Sequence, residues 1–415
     1  MNADSVRDLK HNLIVNLTDG GFFGFALGFA SFVTIIPLFV SQMTDSAILI
    51  GLIPAIHSVG WQLPQLLTAD RVARQARFKP MVLQMTIQER LPFLGLAVVA
   101  WFLPKLNSQV ALILTFGLLI WQGLGGGFTA AAWQSMIGKI IPGDRRGTFY
   151  GAQSSAANLL ASLSAVLAGF ILARLANPED FTLCFLLAFI SMGISWFFLA
   201  QTREPASPPK EVTTDSAIFW RRVREILKQD RNFRWFIVAR LLSQLAVMGF
   251  AFYSVYVVNQ KGAGEIQVGL MTGIFLGTQI IANPIMGWLG DHWNHGRIME
   301  IGCIAAALSS VIAWWAPSTI WFYMVFILAG IANVAVWTIA LAMILEFGSE
   351  SDRPAYIGMG NTFVAPMTIL APFLAGWIAD SAGYQTAFMA TALAAFITMA
   401  VLHWLVKDPK NRLSV

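Results

Sequence analysis

Twelve apolar stretches, six on either side of one long polar run, constrain this chain more than any other feature of its sequence. The polar run, from Gln201 to Arg234, reads QTREPASPPKEVTTDSAIFWRRVREILKQDRNFR. Apolar stretches of about 20 residues or more are what a hydrocarbon layer about 30 Å thick demands of a helix. With 57% hydrophobic and only 12% charged residues, the chain cannot be an ordinary soluble globule. The expected class is an all-α, multi-pass membrane protein. The spans are placed at Leu13 to Val40, Ile48 to Leu67, Met81 to Leu103, Val110 to Ile140, Phe149 to Leu175 and Phe181 to Ala200. After the polar run come Trp235 to Val258, Val268 to Gly290, Ile298 to Ala316, Ile320 to Leu345, Tyr356 to Ala379 and Thr386 to Val406. The first is read as retained rather than cleaved, because its apolar run is long and lacks a clear cleavage site.

The polar run divides the chain into a six-helix bundle over 1–200, a linker over 201–234 and a second six-helix bundle over 235–415. Pro205, Pro208 and Pro209 cannot continue a helix. From Ser216 to Arg234, Ile218, Phe219, Val223, Ile226 and Leu227 fall on one helical stripe opposite Arg221, Arg222, Arg224, Lys228 and Arg231. Such a helix suits an anionic membrane surface or a solvated linker.

Basic residues set the orientation, since Lys and Arg are retained on the cytoplasmic side. The two termini, the even-numbered loops and the central run hold 22 of them, against Lys105, Arg174 and Lys261 in the opposite loops. Both termini are expected to be cytoplasmic, in a plasma (cytoplasmic, inner) membrane. The net charge of +5 is thereby a topological signal, and no nucleic-acid partner is expected.

The halves repeat one another. A shift of 221 residues lays Gly28-Phe29-Ala30 on Gly249-Phe250-Ala251 and Asp70 on Asp291. A shift of 207 lays Arg146, Gly151, Gly169 and Phe181 on Arg353, Gly358, Gly376 and Phe388. Duplicated six-helix halves are typical of rocking transporters. The segment Gly287-Trp-Leu-Gly-Asp291-His-Trp-Asn-His-Gly296-Arg297 resembles the signature loop of the major facilitator superfamily. Its first-half equivalent keeps Asp70, Arg71 and Arg74 but has Leu66 and Ala73 where the family usually has glycines. The resemblance implies two pseudo-symmetric six-helix bundles and a cytoplasmic gate of Asp70, Arg71, Arg74, Gly287, Asp291 and Arg297. A carboxylate just past a helix end can accept from a neighbouring helix N-terminus and pair with Arg; the plainer reading is a capping and topology signal. Gln122-Gly123-Leu124-Gly125-Gly126 is similar to the family's fourth-helix motif, with Leu119 where an arginine is expected. That departure counts against the family's usual proton-tuning device.

Ionisable residues in lipid are costly and mark functional positions. Asp19, followed by Gly20, Gly21 and Gly24, suits a proton or a cationic substrate; Arg240 holds the matching place in the seventh span, and both also suit helix caps. Glu89 and Arg90 lie near mid-membrane and point about 100° apart, so each needs a partner on another helix. Asp19 is a candidate for Arg90. A structural ion pair and a proton-carrying Glu89 are the two readings. Polar residues recur at four-residue spacing, which places them on one face: His57, Trp61 and Gln65; Arg240 and Gln244; Gln279 and Asn283; Asn333 and Trp337. They line a shared cavity or bond between packed helices. Aromatic residues, Trp61, Trp121, Trp337, Phe23 and Phe250, accompany them.

Cys184 and Cys303 both fall in apolar blocks, offering neither a disulfide framework nor a metal cluster. No phosphate-binding glycine-lysine loop is present, and Ser154-Ser155 reads as helix packing. No enzyme activity and no cofactor are expected, although a membrane-embedded transferase and a sensor remain open classes. The expected function is a secondary transporter driven by a proton or other ion gradient, monomeric, with a small-molecule substrate and membrane lipids as partners. Export of an amphipathic or aromatic solute comes first, ahead of uptake of a small polar nutrient such as a sugar, or lipid translocation.

Overall fold

The computed structural model describes residues 3–206 and 216–409; Pro208 and Pro209 of the linker, and Lys410 and Arg412 among the C-terminal basic residues counted toward the cytoplasmic side, lie outside them. Every regular element among the described residues is helical. The first half holds α1 (Ala3–Phe29), α2 (Ile35–Ser41), α3 (Ala47–Gln62), α4 (Gln65–Ala73), α5 (Lys79–Met85), α6 (Ile87–Phe102), α7 (Ser108–Ile140), α8 (Arg146–Arg174) and α9 (Glu179–Leu199). The second holds α10 (Ser216–Gln229), α11 (Arg231–Leu245), α12 (Phe250–Lys261), α13 (Glu265–His292), α14 (His295–Trp315), α15 (Trp321–Val334), α16 (Ala340–Ile344), α17 (Arg353–Thr362), α18 (Ala365–Ala382) and α19 (Tyr384–Leu405). A π-helical turn, Ala335–Ile339, joins α15 to α16.

Ten helical stretches among the described residues are long and apolar enough to cross a membrane, where hydropathy along the sequence places twelve. The two expected near the N-terminus are each split. The first breaks between Phe29 and Ile35, and the second at Leu63 and Pro64, where the proline cannot donate to the ladder. The polar load of α1, which includes Arg7, Asp8, Lys10 and Asp19, lowers its hydropathy further. The linker helix ends at Gln229 rather than Arg234, because the Asp230 carboxylate accepts from Phe233 N at 3.0 Å and starts α11. Of its apolar stripe Val223 and Ile226 are buried, while Ile218 stays 41% exposed.

Two compact units emerge, each holding most of one half plus a segment of the other. Unit 1 joins the chain up to Ile141, the stretch beginning at Ala156 and Glu350–Thr362; unit 2 takes Pro142–Ser155, the stretch ending at Ser349 and the chain from Phe363 onward. Helix α8 thus begins in unit 2 and continues in unit 1. Unit 1 has a core of Phe29, Ile36, Phe39, Phe93, Phe181 and Phe185. Unit 2 has one of Tyr253, Tyr256, Phe322, Phe326 and Phe388. Large apolar side chains also remain outside, with Phe170 at 60%, Phe373 at 72% and Trp404 at 74% exposure. In water such surfaces would associate; against lipid tails they are solvated.

The internal repeat reappears as a clamp. In unit 1 Asn12 Nδ2 donates to Arg203 O and Arg203 N donates to Asn12 Oδ1, both at 2.8 Å. In unit 2 Asn232 Nδ2 donates to Lys407 O at 2.8 Å and Lys407 N to Asn232 Oδ1 at 2.6 Å. Asn12 ties α1, and Asn232 ties α11, to the backbone just past the last long helix of the same half. Glu204 adds a second anchor, accepting from Phe78 N, Lys79 N and Lys139 Nζ at 2.9, 2.7 and 3.0 Å.

Candidate functional site

Unit 1 carries a buried charge cluster where α1, α6 and α9 meet. The break between α5 and α6 falls at Thr86, one turn before Arg90. Arg90 Nη1 donates to Thr86 O at 3.3 Å and also to the Thr86 hydroxyl. Its Nε donates to Met192 O at 3.1 Å and its Nη2 to Ser195 Oγ at 2.9 Å. Ser195 in turn donates to Asp19 Oδ1 at 2.6 Å, with Arg90 Nη2 lying 3.7 Å from the same oxygen. Arg90 Cζ also stands 5.8 Å from the Phe23 ring centroid, a cation–π distance. The expected Asp19–Arg90 partnership is therefore present. Glu89 Oε2 lies 3.9 Å from Arg90 Nη1, the outer limit of an ion pair, as their divergent directions require. Thr86 and Ser195 were not singled out in the sequence; Ser191 and Ser195, four apart in an apolar span, are the signal that could have found the latter.

On the other side of α6, α3 packs against α7 through Gly60, Gly123 and Gly127, whose backbones approach too closely for side chains. Gln122 Oε1 and His57 Nδ1 are 2.9 Å apart, and the His57 ring stacks on Phe32 at 4.1 Å. Gln122 Nε2 is buried without a hydrogen-bond partner. Trp61 borders Gly126 beside the Glu89 carboxyl. Gln65 belongs to a different group: its Oε1 accepts from Asn361 Nδ2 at 2.8 Å and from Gln134 Nε2 at 3.3 Å. Thr362 closes the break after α3, accepting from Leu66 N at 3.0 Å and reaching Gln62 O and Leu63 O at 3.2 and 3.1 Å.

In unit 2 the polar stripes of α13 and α15 meet. Asn333 Nδ2 donates to Gln279 Oε1 at 2.8 Å, Asn283 Nδ2 to Gln279 O at 2.8 Å, and Thr338 Oγ1 to Asn283 Oδ1 at 2.6 Å. Thr338 and the half-buried Trp337 sit on the π-helical turn. Arg240, buried to 2%, donates to Val336 O of the same turn at 2.9 Å. A widened turn frees carbonyls that an α-helix would consume, and such turns concentrate at functional sites. Gln244 Nε2, one turn beyond Arg240, is buried without a partner. Ser155 donates to Ile280 O at 2.6 Å, a packing role as expected.

Inside unit 2 the signature loop meets the start of α8. Asp291 Oδ1 and Oδ2 accept from Gly147 N and Thr148 N at 2.8 and 2.6 Å, the first amides of α8. The carboxylate lies in the last turn of α13, not past its end. His295 completes the group, 2.7 Å from Glu346 Oε1 and 3.5 Å from Asp291 Oδ1, while Arg146 Nη1 donates to Leu345 O at 3.0 Å. A Cβ on Gly287 would run into the Gly147 carbonyl, which is why glycine stands there. Arg297 is exposed. In unit 1 Asp70 lies inside α4 and pairs with Arg74 one turn on; Arg71 is exposed and lines a surface cavity of about 370 Å³ with Arg74, Gln75, Pro80, Met81 and Gln84. Among the described residues no group of three or more His, Cys, Asp or Glu side chains is disposed to hold a metal ion.

The family model described as Major Facilitator Superfamily matches residues 90–264 and 251–414. The chain is 24% identical over 155 residues to the probable vesicular acetylcholine transporter-B of Danio rerio, covering 37% of this chain and 31% of that protein. It is 23% identical over 159 residues to multidrug resistance protein 1 of Bacillus subtilis (strain 168), covering 38% and 41%. These alignments span less than half the length of either relative. Among solved structures, the E. coli fucose:proton symporter FucP superposes with a TM-score of 0.76 at 13% identity, over 95% of this chain and 98% of that one. At that identity the likeness is one of fold.

Proposed function

Since this chain belongs to the Major Facilitator Superfamily, we propose that it moves an amphipathic or aromatic small molecule outward across the membrane in exchange for protons. It is a membrane transporter and not an enzyme. The finer picture is twelve spans with both termini cytoplasmic, working as a monomer in the plasma membrane and alternating between two packings of similar free energy. Hydropathy and the bias of basic residues support it. Monomeric action and contact with membrane lipids are part of the same reading.

The observation that carries the coupling is the Asp19–Arg90–Glu89 cluster: three ionisable side chains on neighbouring helices, each at most 6% exposed. Such groups are costly in lipid unless they do work there. The aromatic residues near the polar stripes, with Phe32 on His57 and Trp61 by Glu89, favour a solute with an apolar face. Resemblance over part of the chain to a multidrug resistance protein points the same way.

A second reading is uptake of a small polar solute such as a sugar. The amide-rich group Gln279, Asn283 and Asn333 favours it, since amides both donate and accept toward hydroxyls. Thermal unfolding of the purified protein against hydrophobic cations, aromatic drugs, sugars, amino acids and lysolipids separates the two. At 100 times its dissociation constant a binder adds about 2.7 kcal/mol of stability. Stabilisation by aromatic or cationic compounds alone is the expected result. Stabilisation by sugars alone would overturn the first reading in favour of the second, and lysolipids alone would point to a lipid translocator. Response to none, in a protein that still unfolds cooperatively, would sink both solute readings and favour a sensor.

A further inference from the structure

We propose that Glu89 is the residue that takes up and releases the coupling proton, while Asp19 is the fixed counter-ion of Arg90. The inference rests on the proton-coupled reading above and assigns its carrier.

Asp19, Glu89 and Arg90 are each buried, and among the described residues no other charged side chain touches them. With all three ionised the cluster carries one uncompensated negative charge in a low-dielectric bundle, which is strongly unfavourable. One carboxyl must therefore hold a proton when the cluster is closed to water.

Hydrogen bonding decides which. Arg90 spends its donors on Met192 O, Thr86, Ser195 and, at longer range, Asp19. Ser195 has a single O–H, which it gives to Asp19 Oδ1 at 2.6 Å, while its own Oγ accepts from Arg90 Nη2 at 2.9 Å. Asp19 is thus held by a guanidinium and by a hydroxyl polarised by that guanidinium, the setting of an ionised carboxylate. Glu89 has a poorer position. Its approach to Arg90 is 3.9 Å, to a nitrogen already committed to Thr86. The Thr86 hydroxyl is its other polar partner.

Adjacent side chains on a helix diverge by about 100°, so Glu89 leaves the α1 and α9 side that Arg90 occupies. It rests on α7 at Gly126, where a Cβ would come within 2.7 Å of Oε1 and Trp61 borders the same space. The groups facing Glu89 are Arg90 and Thr86 from its own stretch of chain, Gly125 and Gly126 from α7 and Trp61 from α3; Asp19 on α1 is the like charge in the cluster. None but Arg90 is a cation. Helices α3 and α7 also carry the His57–Gln122 pair, so the carboxyl faces the side of the unit where polar side chains continue. In the proposed step a proton from water bonds to a Glu89 carboxylate oxygen, neutralising the cluster, and returns to water when that side is hydrated.

Infrared spectroscopy of the reconstituted protein reads this directly, through the C=O stretch of a protonated carboxylic acid. The band is expected at neutral pH, to shift when glutamate carboxyls are labelled with carbon-13, to stay in place when aspartate is labelled, and to fade as pH rises. Glu89→Gln should abolish it. Where that variant fails to unfold cooperatively, Glu89→Asp serves instead and should transfer the shift to the aspartate label. A band that follows the aspartate label in the native protein, that survives Glu89→Gln, that is absent at neutral pH, or that does not change with pH while the protein stays folded overturns the assignment. No solute is needed, so this failure is distinguishable from failure of the transport reading, which the binding panel tests.

Discussion

Ser195 shows how much one side chain can decide. Its hydroxyl accepts from Arg90 and donates to Asp19, so truncation strands a donor on one side and a carboxylate oxygen on the other. Leaving buried polar groups unsatisfied costs about 1–3 kcal/mol, more where they are charged. Ser195→Ala should lower the unfolding temperature clearly, whereas Ser191→Ala, whose hydroxyl donates only to Leu187 O of its own helix, should lower it much less. Equal losses in a thermal melt would contradict the linking role. Part of this site was readable in the sequence. Asp19, Glu89 and Arg90 stand out because charges are rare in apolar spans, and Arg90's need for a partner on another helix makes Asp19 one candidate. Ser195 did not stand out, since serine in such a helix ordinarily bonds back to its own backbone. Arg240 holds the place in the repeat that matches Asp19. It donates to Val336 O in the π-helical turn, a carbonyl whose availability no local sequence signal announces.

At the scale of elements, the first turn of α8 is the clearest case. Its amides at Gly147 and Thr148 have no intrahelical acceptor, and Asp291 supplies one for each. Bonds to a charged acceptor contribute about 1.5–3 kcal/mol each. Asp291→Ala should therefore speed hydrogen exchange at these two amides by roughly tenfold or more, measured by exchange mass spectrometry on peptides covering 142–155. Unchanged protection would contradict this role of Asp291. The signature motif foretold a carboxylate facing a helix N-terminus, and that geometry is present. It did not foretell which helix, nor the buried His295 between Asp291 and Glu346. The broken second span is similar. Pro64 announces the break, but the hydroxyl that caps it belongs to Thr362, about three hundred residues away.

For the whole molecule, orientation is the property most open to test. Lys105 lies in a loop expected outside and Asp144 in one expected inside. Cys184 and Cys303 are both buried, so single cysteines can be introduced over a quiet background. Lys105→Cys should react with a membrane-impermeant thiol reagent in intact cells, and Asp144→Cys only after the membrane is opened. The reverse pattern would invert the topology. The apolar exterior is a separate property of the whole chain: in the helical stretch Gly143–Arg174 only 11% of the most apolar window is buried.

Hydropathy, charge bias and the repeat by themselves determined the all-helical membrane class, the duplicated halves and the carboxylates worth attention. These are properties of composition and spacing, and they survive any rearrangement of side chains. It took the packing of helices to place Pro142–Ser155 with the second unit and Glu350–Thr362 with the first, to tie each half with one reciprocal asparagine clamp, and to link Arg90 to Asp19 through the Ser195 hydroxyl. Each depends on which helix faces rotate together across large sequence separations. Helical periodicity fixes a face relative to its own axis, and only packing against other helices fixes it relative to them.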